Sequence, residues 1–550
     1  MIKNKLQQIT SRAAFLKTDL FQNTVAVLFL LYMVFYTIFP IFGDNFDRIP
    51  GDLTDARFNN YLLENGYSYL TNKEHVFWNA PFCYPEKEII SYSDNFIGEL
   101  PFYAAFRVCG MDNQSAYQGW MVVTLLLNFI VCAWVLFRFS GNKLAALAGA
   151  FVFTFAIPVF DQNYHSQMMA RYMLPLAFYF LIMLLKEAKH KYVFFLLLSI
   201  VLQFYNSIYL GLLLSLGLFC ALLGYSLFYW KSISFRTIFK RKYWRWYTLY
   251  CLINFGLLFL IMWPYIERSM NGTLPDKAFV MASLPEPSAY LLTCDLSSSW
   301  TFLDKVPQGM IDFWNKFLFP GGMASLSVVV FLVILLVAAF RRKIGQVSSL
   351  SRLGLAFLSG FILLFILTLR VGKFSLYEGV YYFPGFAAMR DLCRVVNVQL
   401  LYYAILVTFM ISMVLAKIRY TWLRNGVGVL LLVLVVIDNR YDSEKAVTYS
   451  KEGSQEEVMD LVDKITSHPD YRKYEAVVYM PDTLKGSYSP IQLDAMLASQ
   501  YLGIKTVNGY TGTCPVDYCN FGVKPDTTGL KIWLTHNGLP ADSTVFLFIH

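Results

Sequence analysis

Apolar runs of about 17–25 residues, long enough to cross a bilayer as helices, recur along most of this chain. They lie near residues 21–42, 119–138, 144–160, 172–186, 192–208, 209–230, 247–266, 324–340, 353–369, 395–416 and 420–438. The run 192–230 is dented by Gln203, Asn206 and Ser207, and reads as two spans joined by an outward turn near Tyr205. About eleven spans result by this length criterion. The polar intervals between them carry basic clusters: Lys3, Lys5, Arg12 and Lys17 at the N-terminus, Arg138 with Lys143, Lys186 to Lys191, Lys231 to Arg245, Arg341 to Lys343, and Lys417 to Arg424. With eleven spans all of these share one side, which the positive-inside rule makes the cytoplasm. Counting 192–230 as a single span would break that agreement. The first span is longer than a signal-peptide core and is followed by no small-x-small site, so it reads as an uncleaved anchor.

This topology sends four polar segments outward: 43–118, 267–323, 370–394 and the tail 439–550. The tail carries mixed signals. Ser454 and Glu457 form an S-x-x-E capping box opening a helix to about Ile465. A buried strand at Ala476 to Met480, a helix near 489–502, a short strand around Lys505 to Asn508, a helix near 527–534 and a strand at Thr544 to Phe548 follow. The expected architecture is therefore an α-helical polytopic membrane protein with a transmembrane domain, 1–438, and a small extracytoplasmic α/β domain, 439–550.

Composition narrows the class. The chain has 550 residues, of which 57% are hydrophobic and only 15% charged, against about 25% charged in soluble domains. The formal net charge of +9 sits in topogenic clusters beside the spans, so it signals orientation and not nucleic acid. Of the nine cysteines, Cys132, Cys220 and Cys251 fall in spans as small apolar residues. Cys514 and Cys519 share the outer tail, where an oxidising compartment would permit a disulfide. There is no CxxC pair, no His/Cys metal spacing, no phosphate-cradling glycine loop and no internal repeat.

The candidate chemistry is confined to the outer side. In GDLTDARFNNYLLENGYSYL, Asp52 and Asp55 sit three residues apart at the apparent start of a helix, with Asp44 and Asp47 before them and Arg57 after. Helix capping accounts for one or two of these carboxylates. Asp94 precedes a helix expected from about Asn95 to Val108, where capping is again the simple alternative to catalysis. His165, Gln167 and Arg171 lie in the turn Asp161 to Arg171. Arg390 and Arg394, at i, i+4, would share one face of a helix entering the tenth span, and arginine suits phosphate because its planar fork donates paired hydrogen bonds. In NGYTGTCP, turn formers surround Tyr510, a ring on which a sugar could stack.

One span, a long outer loop with a Gly-Asp-x-x-Asp element and two surface helices, then many spans and an outer α/β tail resembles the GT-C superfamily of integral-membrane glycosyltransferases. The pieces GDLTDARFNNYLLE, YSDNFIGELPFY, DQNYHSQMMARYMLPLAFY, FPGFAAMRDLCR and LDAMLASQYLGIKTVNGYTG resemble in particular a group of bacterial GT-C-like membrane proteins of the inner membrane and cell envelope. The resemblance implies sugar transfer, with inversion, from a polyprenyl-phosphate donor to a hydroxyl on a glycan, lipid or protein acceptor. It implies Asp52 or Asp55 as base, Asp52 being slightly preferred, with Asp94 the third catalytic candidate. Arg390, Arg394 and Arg171 would hold the donor phosphate, while His165, Gln167, Arg57 and Tyr510 would touch the acceptor or support these groups. The outer carboxylates could hold Mg²⁺ or Mn²⁺, or arginine alone could activate the phosphate. A flippase of lipid-linked sugars and a non-catalytic scaffold are the rivals. Transporters place ionisable groups near the bilayer midplane, and here they gather at one outer face.

Overall fold

The computed structural model describes residues 19–72, 76–162, 165–270, 274–303, 316–341, 346–481, 488–540 and 544–550. Lys3, Lys5, Arg12, Lys17 and Lys343 lie outside the described residues. Ten helices among the described residues are long and apolar enough to cross a membrane: Asp19–Phe42, Asn113–Ser140, Lys143–Asp161, Ser166–Glu187, Ile208–Ser232, Arg241–Met270, Gly322–Phe340, Ser349–Thr368, Leu392–Ala416 and Thr421–Asp438. Lys191–Asn206 is a shorter apolar helix at the position of the fifth expected span. The chain is thus a polytopic helical protein of membrane composition.

The break inside the long 192–230 run falls at its polar dent. Ser207 is extended (φ −160°, ψ 123°) and its side chain caps the helix that begins at Ile208. Just before it, Gln203 Nε2 donates to the Ala170 carbonyl (2.9 Å), and the Tyr205 carbonyl accepts from Gly98 N–H of the first loop (2.8 Å). Gln203 thus holds the turn before the fourth span, while the Tyr205 carbonyl and the Ser207 hydroxyl, which donates to Asp94, hold the first loop.

Two helices form the centre. Most residues of the apolar stretches of Lys143–Asp161 and Leu392–Ala416 are buried within the protein, whereas few of those of Arg241–Met270 are, and the latter exposes Leu252, Phe255 and Leu260. Apolar side chains on the outside of a bundle are what lipid covers. Between the central pair the backbones approach closely: a Cβ at Gly149 would stand 2.5 Å from the Ala404 carbonyl oxygen. Small residues permit this contact in membrane helices.

At one end of the bundle, the first loop and the tail are stitched into one body. Arg48–Pro50 pairs antiparallel with Thr448–Ser450. The segment at 81–84 exchanges backbone hydrogen bonds with 506–508, including Cys83 N to Asn508 O (3.0 Å) and Thr506 N to Pro81 O (2.9 Å), and Trp533 Nε1 donates to the Tyr84 carbonyl (2.9 Å). Within the tail, Ala476–Tyr479 pairs in parallel with Phe546–Ile549. The helices Tyr488–Leu502 and Thr527–His536 occupy the expected positions.

Three local expectations shift for identifiable reasons. The first tail helix starts at Lys451, earlier than the Ser454 capping box, because the strand delivers Ser450 to the N-cap, where its hydroxyl accepts from Gly453 N (3.1 Å). The strand expected at Lys505 to Asn508 reduces to a bridge between Thr506 and Val477, extended by the Asn508 side-chain amide, which bonds both N–H and C=O of Tyr479. The helix expected from Asn95 runs only from Leu100 to Val108, because Phe96 takes a positive φ of 57° and Pro101 sets the first turn.

A buried ion pair holds the tail on the loop: Arg57, 2% exposed, meets Asp494 of the tail at 2.6 Å. Asp494→Ala strands the buried guanidinium and should destabilise the protein by about 3–5 kcal/mol, as broken buried pairs do. The double change Arg57→Met, Asp494→Leu should recover most of that loss. Thermal unfolding of the purified protein in detergent checks both, and an unchanged melting temperature for Asp494→Ala contradicts the docking role.

Candidate functional site

The Gly-Asp-x-x-Asp element is built as a turn leading into a helix. Gly51 leaves the short strand with φ +113°, a conformation disfavoured by any side chain, while its N–H donates to the Val447 carbonyl (2.8 Å). Asp52 then folds over the helix start: its Oδ1 accepts from Thr54 N and Ala56 N (both 3.2 Å), and Oδ2 accepts from the Thr54 hydroxyl. Two of the free amides at this helix N-terminus are thereby satisfied by one carboxylate.

Asp55 is the first residue of the helix Asp55–Thr71, so its charge complements the helix dipole, yet its side chain turns toward the bundle. His165 Nδ1 lies 2.7 Å from Oδ2, and the Tyr510 hydroxyl donates to Oδ1 at 2.5 Å. The helix braces the His165 turn a second time, through Asn59 Nδ2 donating to Gln167 Oε1 (2.8 Å). Ser166 in the same turn bonds the Tyr117 hydroxyl (2.6 Å). Three segments distant in sequence thus converge on one carboxylate.

The electrostatics fit an ionised carboxylate. Burial by itself pushes Asp55 up, but the hydrogen bond and charge of His165, the Tyr510 hydroxyl and the Arg394 charge together bring it below the usual carboxylate range. His165 moves down from its ordinary 6.5, because of burial first and the Arg394 charge second, with Asp55 opposing. Burial, then the charge and hydrogen bond of Asp55, push the Tyr510 phenol up, so it stays a donor.

The arginines divide. Arg394 belongs to the 3₁₀ turn Leu392–Val395 that opens the tenth span, with its guanidinium 4.9 Å from the Tyr209 ring centroid and its Nε 3.4 Å from Asp391 Oδ2. Arg390 is exposed in the preceding bend. The pair does not share an α-helical face, because Asp391 caps the 3₁₀ turn by accepting from Cys393 N (3.0 Å) and the α-helix starts only at Val396. Arg171 is fully enclosed, bonding Asn397 Oδ1 and the Thr154 carbonyl (both 3.3 Å) over the Phe153 ring.

Asp94 feels the same Arg394 charge as Asp55 but has different hydrogen-bond partners. It accepts from Ile208 N (2.8 Å) and the Ser207 hydroxyl (3.1 Å), capping the sixth span instead of the helix that follows it in sequence. Arg57 is committed to Asp494. Sequence reasoning passed over Asn59, although it lies one turn after Asp55 on the same helical face. It also passed over Asp494 and Tyr209, for which no local pattern existed. Cys514 and Cys519 are both free thiols. Among the described residues, no group of three or more His, Cys, Asp or Glu side chains is arranged to hold a metal ion.

No protein-family model matches the chain, and no curated protein matches it. What the fold and composition define is the class: a helical, polytopic membrane protein.

The cap at Asp94 gives a signed expectation. Burial raises its pKa to about 6 against hydrogen bonds from Ile208 and Ser207 and the Arg394 charge. The folded value thus exceeds the ordinary 3.8, so its contribution to stability is complete below that value and lost as pH rises through about 6. Asp94→Asn keeps an acceptor for Ile208 N–H and removes the buried charge. Thermal unfolding from pH 5 to 7.5 should show the wild type losing stability relative to the variant, and parallel curves refute the assignment.

Proposed function

We propose that this chain is a membrane glycosyltransferase of the GT-C kind, working at the extracytoplasmic face of a bacterial inner membrane. It moves a sugar from a polyprenyl-phosphate carrier to an acceptor hydroxyl. The observation that carries this reading is Asp55, ionised, oriented by His165 and Tyr510, and set where the bundle end, the first loop and the tail meet. A hydroxyl nucleophile needs a positioned base, and a carboxylate held on both oxygens supplies one without a costly reorientation.

In this reading the acceptor hydroxyl gives its proton to Asp55 as its oxygen bonds to the anomeric carbon. The bond from that carbon to the carrier's phosphate oxygen breaks, and the electron pair leaves with the phosphate. Attack opposite the leaving group inverts the centre. Arg394, which already lends its charge to the site, and the exposed Arg390 stabilise the departing phosphate. Asp52, Asp94, Arg57 and Arg171 are engaged in caps and bridges, and they serve by holding the loop, the sixth span, the tail and the central helices. Confinement of these groups to one bundle end supports an enzyme over a flippase.

With the protein in proteoliposomes and a panel of polyprenyl-phosphate hexoses as donors, Asp55→Asn should lower transfer by about 10²–10⁴-fold. Asp52→Asn should keep most activity and cost about 1 kcal/mol of stability as a lost cap. Full transfer by Asp55→Asn overturns the assignment. The rate should also fall on the acid side only below pH 6.5, as His165 gains a proton and ties Asp55 into an ion pair. A rate that climbs toward pH 5 contradicts it.

A further inference from the structure

Beyond Tyr510 the tail contains a cavity of about 220 Å³, lined among others by Tyr488, Ser489, Tyr510, Thr511, Cys514 and Tyr518. That is room for several waters, enough for one sugar ring. Its walls are preformed. The Tyr518 hydroxyl donates to the Val507 carbonyl (3.0 Å), and the buried Gln492 fixes the Asn508–Gly509 turn by accepting from Asn508 Nδ2 (2.9 Å) and Gly509 N (3.1 Å). Thr511 is held by its own turn, its hydroxyl donating to the Thr513 carbonyl (2.7 Å).

The lining is chemically selective. Among the described residues it combines three tyrosines with small polar residues, Val523 and no charged side chain. Arg268, close to this part of the tail, is engaged with the Thr513 hydroxyl (2.8 Å), and Arg390 influences Cys514 through space without lining the cavity. Aromatic faces with a few polar groups suit a ring that is apolar on its C–H faces and hydroxylated at its rim. A phosphate or carboxylate would meet no cation among the described lining residues and would lose part of its hydration there. Tyr510 is shared: it lines this cavity and its hydroxyl bonds Asp55.

We infer that this cavity is the acceptor subsite and takes a neutral hexose ring, the terminal residue of a glycan, one side chain away from Asp55. The inference rests on the glycosyl-transfer reading above. It makes the acceptor an uncharged glycan and not a phospholipid headgroup or an anionic sugar.

Saturation-transfer NMR on the full chain in nanodiscs tests it, with methyl glucoside, galactoside and mannoside as probes and methyl glucuronoside as the anionic contrast. At least one neutral hexoside should receive saturation, and Ser489→Trp, which fills the cavity, should reduce that signal at least threefold. Tyr488→Ala, which removes a stacking face without adding bulk, should weaken it too and serves if the Trp variant does not fold. Asp55→Asn should bind the hexoside as the wild type does, so binding retained with transfer lost separates this proposal from the catalytic one. No signal from any hexoside, a signal unchanged in both cavity variants, or an equal signal from the glucuronoside overturns it.

Discussion

A half-buried carboxylate contacting an imidazole and a phenol from two other parts of the chain constrains this structure more than any single helix. Asp55 is 25% exposed and His165 11%. With Tyr510 they tie the first loop, the turn before the fourth span and the tail to one point. Burying a carboxylate raises its energy unless hydrogen bonds and charge compensate, and here the compensation requires all three segments to be in place. The site therefore depends on the docked tail, and the docking has its own supports in Arg57 with Asp494 and in the strand pair that joins residues 48–50 to 448–450.

The same dependence explains the distribution of polar groups at this end of the bundle. Most of the candidate ionic side chains are engaged in structure: Asp52 caps the first-loop helix, Asp94 caps the sixth span, and Arg171 braces the central helices. Asp391 caps the turn that carries Arg394. Once these roles are assigned, Asp55 is the carboxylate whose partners are an imidazole and a phenol instead of backbone amides. Side chains that hold charge without serving as caps are where chemistry is to be sought.

The sequence made the long-range plan legible and the local partnerships only partly so. Apolar length located the long helices, and the polar dent that suggested a turn near Tyr205 marks the break that falls at Ser207, because both signals are local. The Gly-Asp-x-x-Asp element and the Asn508–Pro515 turn were visible as unusual chemistry, yet nothing in either indicated that Tyr510 would meet Asp55 across 455 residues. Choosing between Asp52 and Asp55 required knowing which of them faced the amides, and their spacing favours either. The i, i+4 reading of Arg390 and Arg394 assumed an α-helix where an Asp391 cap imposes a 3₁₀ turn. The Ser454 box was displaced by a strand pairing whose partner lies some 400 residues earlier.

The central claim, that Asp55 faces a lipid-linked donor held by Arg394, is tested most directly by cryo-electron microscopy of the protein with a non-hydrolysable polyprenyl-phosphate sugar analogue. The account predicts phosphate density within hydrogen-bonding distance of the Arg394 guanidinium, with the sugar ring between it and the Asp55 carboxylate. Phosphate density bound elsewhere on the bundle, with the space between Asp55 and Arg394 filled by protein, would contradict it.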